Sequence, residues 1–140
     1  MKGTIFALGA LMLAGMAGSA SAQTMSYAQA GALLAKSCGP SIERFCSTVN
    51  IGTGQVQQCL QQHQDQVPRQ CFDDFAAVQT GIAKRVAAQA AAGQACSASA
   101  QQFCSGVKPG DANILDCLLD SVKVVRPACR QTLIDAGWAN

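Results

Sequence analysis

Eight cysteines are the residues of this 140-residue chain best suited to chemistry, and they come in two sets of four. Cys38, Cys46, Cys59 and Cys71 are separated by 7, 12 and 11 residues, and Cys96, Cys104, Cys117 and Cys129 repeat those gaps at an offset of 58. Thiols in this number either close disulfide bridges or, as thiolates, hold copper(I) or zinc. Spacing weighs between the two. Compact metal sites favour close pairs such as Cys-x-x-Cys, and none is present; after residue 22 the only methionine is Met25. Thiol-based binding of copper or zinc in the periplasm is therefore the alternative to a bridged framework. A two-cysteine redox site also needs the close spacing that is missing.

Other residue types offer less. His63 is the single histidine, so any Ser-His-Asp or Cys-His arrangement would have to be built around it. It lies on the stripe side of a Gln-rich segment, and its counterpart 58 residues on is Ser121, so a structural role is expected. Asp73 and Asp74 are adjacent and diverge on a helix, near an N-terminus that favours negative charge. Asp116 and Asp120 stand one turn apart, but two carboxylates without further oxygen donors make a weak cation site. The expectation is a chain that is not an enzyme and carries no cofactor or metal ligand set.

These cysteines belong to a larger duplication. The offset also superimposes Ser41 on Ser99, Phe45 on Phe103, Ser47 on Ser105, Val49 on Val107, Gly52 on Gly110, Leu60 on Leu118 and Val67 on Val125, so 11 of 34 aligned positions are identical. Ahead of the first copy, Lys2, the apolar run Ile5–Ala17 and Ala20-Ser21-Ala22 form the pattern of a cleaved secretory signal over residues 1–22. The run is shorter than the ~20 apolar residues a membrane span needs, so no stable anchor is expected after cleavage. Export into an oxidising compartment favours bridges for an even number of thiols at repeated spacings. The remaining 118 residues carry nine Lys and Arg, without Lys2, against eight Asp and Glu, with no basic cluster. Nucleic acid and anionic membrane surfaces, which demand a concentrated positive patch, are poor candidates.

Helical periodicity runs through the mature part, and strand signals are scarce. A first helix is expected over 26–47, with Ser26 as N-cap and a kink or brief interruption at Gly39-Pro40. Val49–Gly54 reads as a loop. Residues 55–66 carry a stripe at Val56, Cys59 and Leu60 that continues to Val67, and Pro68 suits the first turn of a third helix. Cys71, Phe75, Val78, Ile82, Val86, Ala90, Gly93, Cys96, Ala100 and Phe103 then follow at steps of three or four, so this helix is expected to run into the second copy, unbroken or kinked near Gly93. Val107–Asp111 is a second loop, 112–124 a further helix, and Pro127 opens a last one ending near Gly137. The expected organisation is all-α: a signal at 1–22, a first repeat at 23–78, an Ala-rich helical linker at 79–95 and a second repeat at 96–140, with about three helices per repeat.

Helix order bears on the pairing. Cys38 and Cys46 lie about 12 Å apart along one helix at 1.5 Å per residue, beyond the Cα limit of about 7 Å for a bridge. Antiparallel packing sets Cys46 beside Cys59, and reversal at Pro68 brings Cys71 beside Cys38. The nested order is Cys38–Cys71, Cys46–Cys59, Cys96–Cys129 and Cys104–Cys117. The crossed order, Cys38–Cys59 with Cys46–Cys71, places bridges at mismatched heights.

The spacing Cys38-x7-Cys46 with Phe45 before the second cysteine, a Gly-containing loop, Val56-Gln57-Gln58-Cys59-Leu60-Gln61-Gln62-His63 and the fourth cysteine Cys71 resemble the cysteine-rich repeat of the Golgi apparatus protein 1 family. Its animal members are also described as E-selectin ligand and cysteine-rich fibroblast growth factor receptor. The resemblance covers 38–78 and 96–137 and implies a helical, disulfide-linked extracytoplasmic module. Animal members carry many more repeats and a membrane anchor, and no Asn-x-Ser/Thr sequon occurs here, so glycan-borne adhesion and growth-factor binding are not carried over. A signal-bearing two-repeat form is similar to a bacterial periplasmic or secreted relative.

One asymmetry between the copies points to a partner. Gln57, Gln61 and Gln64 become Leu115, Leu119 and Val122, an apolar stripe at i, i+4 and i+7. Either this face packs on neighbouring helices or it is an exposed patch that binds another protein or a second copy. The expected function is an exported, non-enzymatic binding or structural module.

Overall fold

The structure is a computed structural model that describes residues 24–52 and 54–140. The signal and cleavage site expected over residues 1–22 lie outside the described residues. Five helices follow in order: α1 Tyr27–Phe45, α2 Gln55–Gln62, α3 Arg69–Phe103, α4 Asn113–Asp120 and α5 Pro127–Asp135. There is no strand among the described residues, and the fold is all-α. α3 packs against α1, α4 and α5, while α1 packs against α2. No helix among the described residues is long and apolar enough to cross a membrane.

Local chemistry sets the start of α1. The Ser26 hydroxyl accepts the Gln29 N–H at 3.1 Å, and Gln29 Oε1 accepts the Ser26 N–H at 2.9 Å, a capping box that satisfies two backbone donors. Of the kink or brief interruption expected at Gly39-Pro40, the interruption does not occur: the helix is continuous, with Pro40 inside it. Proline removes one backbone bond there. Bridges from Cys38 to α3 and from Cys46 to α2 hold the helix on both sides of the gap.

Two helices end earlier than their stripes suggest. α2 stops at Gln62 instead of 66, and a turn closes with the Val67 N–H donating to the His63 carbonyl at 3.1 Å. α4 stops at Asp120 instead of 124, with the same bond from Val125 to Ser121 at 3.1 Å. Residues preceding a proline leave the helical region, and Pro68 and Pro127 lie just ahead of α3 and just inside α5. Val67 and Val125 are tucked into the core as the chain reverses.

α3 is unbroken over 35 residues through Gly81 and Gly93. Its buried positions are Cys71, Val78, Gly81, Ala92, Cys96 and Ser99. In the expected stripe, Val86, Ala90 and Gly93 took successive steps of four or three and drifted off that face. They are exposed, and Arg85, Gln89 and Ala92 take the inward positions. At a true 3.6-residue period three steps of four overshoot by about a residue. Two cores flank the long helix, one around Cys38, Cys46, Leu60, Val67 and Cys71, the other around Cys96, Cys104, Leu118, Val125, Cys129 and Leu133.

Candidate functional site

All eight cysteines are paired. Cys38–Cys71 and Cys96–Cys129 join helices at Cα separations of 4.9 and 4.6 Å, and Cys46–Cys59 and Cys104–Cys117 do so at 6.0 and 6.1 Å. The order is the nested one. Each repeat is thus tied top and bottom, by a bridge spanning 33 residues around one spanning 13. A bridged sulfur offers no thiolate to a metal, and no cysteine is free. Among the described residues no group of three or more His, Cys, Asp and Glu is arranged to hold a metal ion.

His63 stacks on Phe45, with ring centroids 4.8 Å apart and planes 15° from parallel, and the Arg44 guanidinium lies 5.0 Å from the same ring. The histidine is therefore part of the packing at the foot of repeat one. Repeat two has Ser121 in its place, and Phe103, the counterpart of Phe45, is left on the surface. Asp74 accepts a bond from Gln70 at 2.7 Å, while Asp73, Asp116 and Asp120 are exposed.

Leu115, Leu119 and Val122 are half-buried, and all three pack against the core of repeat two. Leu115 also lines a cleft. This cleft, of about 230 Å³, lies between the second half of α3, α4 and the chain end beyond α5. A second cleft, of about 500 Å³, lies between α1, α2 and the first half of α3. They are duplicates: seven lining positions of one, displaced by 58, line the other, among them Leu34 and Ala92, Val56 and Ile114, Gln57 and Leu115, Phe75 and Leu133. The wall that α1 gives to repeat one is given to repeat two by residues 89–100 of α3.

The copies differ in what walls the cleft. α5 ends in a full Schellman turn: Gly137 adopts φ 73°, its N–H donates to the Ile134 carbonyl at 2.8 Å, and the Trp138 N–H reaches back to Leu133 at 3.0 Å. The turn folds Trp138 onto the second core, where it forms one wall of the cleft. Gln89 donates to the Ala136 carbonyl at 3.1 Å and Arg85 to that of Gly137 at 3.5 Å, so α3 caps the turn from the other side. Four wall positions shrink to make room, Leu34 to Ala92, Ala35 to Gly93, Ile42 to Ala100 and Phe75 to Leu133.

In repeat one no such wall exists among the described residues. Gln79 and Thr80, the counterparts of Gly137 and Trp138, lie inside unbroken α3. Gln79 donates to Gln57 Oε1 at 3.2 Å, setting an amide pair in an otherwise apolar lining without a charged residue. At the rim Ile51 is 90% exposed. Sequence reasoning missed both clefts: the lining pairs ahead of Cys38, such as Gly31 and Gln89 or Leu34 and Ala92, share no residue type that would mark them.

Residues 28–68 match the family model of a cysteine rich repeat, a span that begins within α1 and holds Cys38, Cys46 and Cys59. No curated protein and no solved structure matches the chain.

Proposed function

We propose that this chain, with a cysteine rich repeat at residues 28–68, is an exported, non-enzymatic binding module, periplasmic or secreted, whose apolar cleft in repeat one is its binding site. The carrying observation is the contrast within the duplication. One cleft is narrowed by the chain's own Trp138, while its equivalent keeps about 500 Å³ open beside an exposed isoleucine. Clefts of about 300–1,000 Å³, mostly apolar with a few convergent polar groups, are the usual form of a ligand site, and the Gln57–Gln79 pair supplies those groups. Four bridges suit an oxidising compartment, and the signal pattern at 1–22 supports export.

The test is binding of anilinonaphthalene sulfonate, an apolar fluorescent dye, to the oxidised protein. Ala35 is exposed on the cleft wall, so Ala35→Phe fills the space without entering the core. Saturable dye fluorescence that drops at least tenfold in Ala35→Phe, with all four bridges intact by mass, supports the site. Absence of binding, or binding insensitive to the substitution, overturns it.

A further inference from the structure

We propose that the repeat-one cleft receives an aromatic side chain of a partner polypeptide, in the place that Trp138 holds in repeat two. This rests on the binding-module reading above and names its ligand. The duplication itself shows what such a cleft takes. At equivalent positions of the same scaffold an indole packs on the core as one wall of the second cleft, and it arrives on a peptide segment whose next residue, Ala139, also packs on the core. Repeat one presents the same floor, Val56 for Ile114 and Phe75 for Leu133.

Its differences suit an occupant that comes from outside. Among the described residues no segment folds over this cleft from within, because Gln79 and Thr80 continue α3 instead of turning back. At about 500 Å³ the space exceeds that of a single ring, so residues flanking the aromatic must enter with it. Those residues bring backbone N–H and C=O groups, and the Gln57–Gln79 amides are the hydrogen-bonding groups within reach of them. Ile51 stands at the rim, where a neighbouring apolar side chain of the segment would cover it. Without charge in the lining, the partner segment is uncharged around its aromatic, since a buried unpaired charge is strongly unfavourable.

The probe is a dye-labelled, C-terminally amidated pentapeptide of this chain's own residues 136–140, Ala-Gly-Trp-Ala-Asn, titrated into the oxidised full-length protein and followed by anisotropy and amide chemical shifts. The expected result is saturable binding that moves the signals of Leu34, Ile42, Val56 and Phe75. It falls at least tenfold when the peptide's Trp138 is replaced by alanine, and at least tenfold again in the Ala35→Phe protein. No binding overturns the inference, as does binding lost in a Gly93→Phe protein but kept in Ala35→Phe, which would place the peptide in the second cleft. Free indole binding as tightly as the peptide identifies a small molecule as the occupant and also overturns it. A concentration-dependent dimer abolished by Ala35→Phe would make a second copy the occupant, with the same consequence. Dye binding at the cleft without peptide binding sinks this inference alone; loss of both sinks the binding-module reading with it.

Discussion

Ser41 and Ser99 occupy equivalent positions in the two repeats and are both buried, at 6% and 0% exposure, yet they do different things. The Ser99 hydroxyl accepts the Arg126 N–H at 3.1 Å, tying α3 to the start of α5. The counterpart of Arg126 is Pro68, which has no N–H to give. Ser99→Ala leaves a part-buried donor without its partner and is expected to cost about 1–2 kcal/mol, whereas Ser41→Ala should change stability by less than about 0.5 kcal/mol. Urea titration under non-reducing conditions separates the two, and equal losses would show that the serines act through packing instead. The duplication is thus a guide to position and not to the role of each side chain.

At the scale of elements, the two short helices begin alike on unlike residues. α2 starts from Gly54 at φ 75° and α4 from Ala112 at φ 62°, both left-handed. Glycine adopts that region freely, while an L-residue with a Cβ is strained there by about 1–2 kcal/mol. Ala112→Gly is expected to raise stability by about 0.5–1 kcal/mol after the unfolded chain's gain in entropy is subtracted, read as a higher urea midpoint at unchanged slope. The turn after α5 gives the opposite case. Gly137 is left-handed, and a Cβ on it would collide with the Arg85 guanidinium. Gly137→Ala should cost about 1–2 kcal/mol and free Trp138, the chain's one tryptophan, from its wall. A red shift of its emission checks this, and an unshifted spectrum would mean that the turn does not hold the ring.

For the whole molecule the bridges dominate. Cys38, Cys71 and Cys129 are wholly buried, and Cys96 is nearly so, whereas Cys59 and Cys117 are only half-buried. Thiolate attack needs access to a sulfur, so mild reductant should open Cys46–Cys59 and Cys104–Cys117 before the outer pairs, as read by timed alkylation and peptide mapping. The outer bridges close the longer loops, at a separation of 33 against 13. Replacing Cys38 and Cys71 together by serine should therefore destabilise more than replacing Cys46 and Cys59, by about 0.8 kcal/mol on loop-closure entropy, measured as a difference in thermal midpoint. Equal losses would place the stabilisation in native-state packing. Intact mass of the oxidised protein, eight hydrogens below the reduced chain, registers all four bridges at once.

Much of this was legible in the chain itself, because local rules govern it. The 58-residue offset, the capping serine, the glycine loops and the antiparallel order of helices are properties of neighbours in sequence, and they led to an all-α pair of repeats with nested cysteines. Termini of α2 and α4 were misjudged since an apolar stripe does not say where a chain must reverse. The inward face of α3 was misjudged since steps of three or four accumulate error over 35 residues. Only the tertiary structure decided the clefts. Each is walled by three helices, and the smaller of the two gains a wall from a turn at Gly137 that exists in one copy and is replaced in the other by continuing helix. No local pattern records that difference, because it arises where α3 serves both repeats at once.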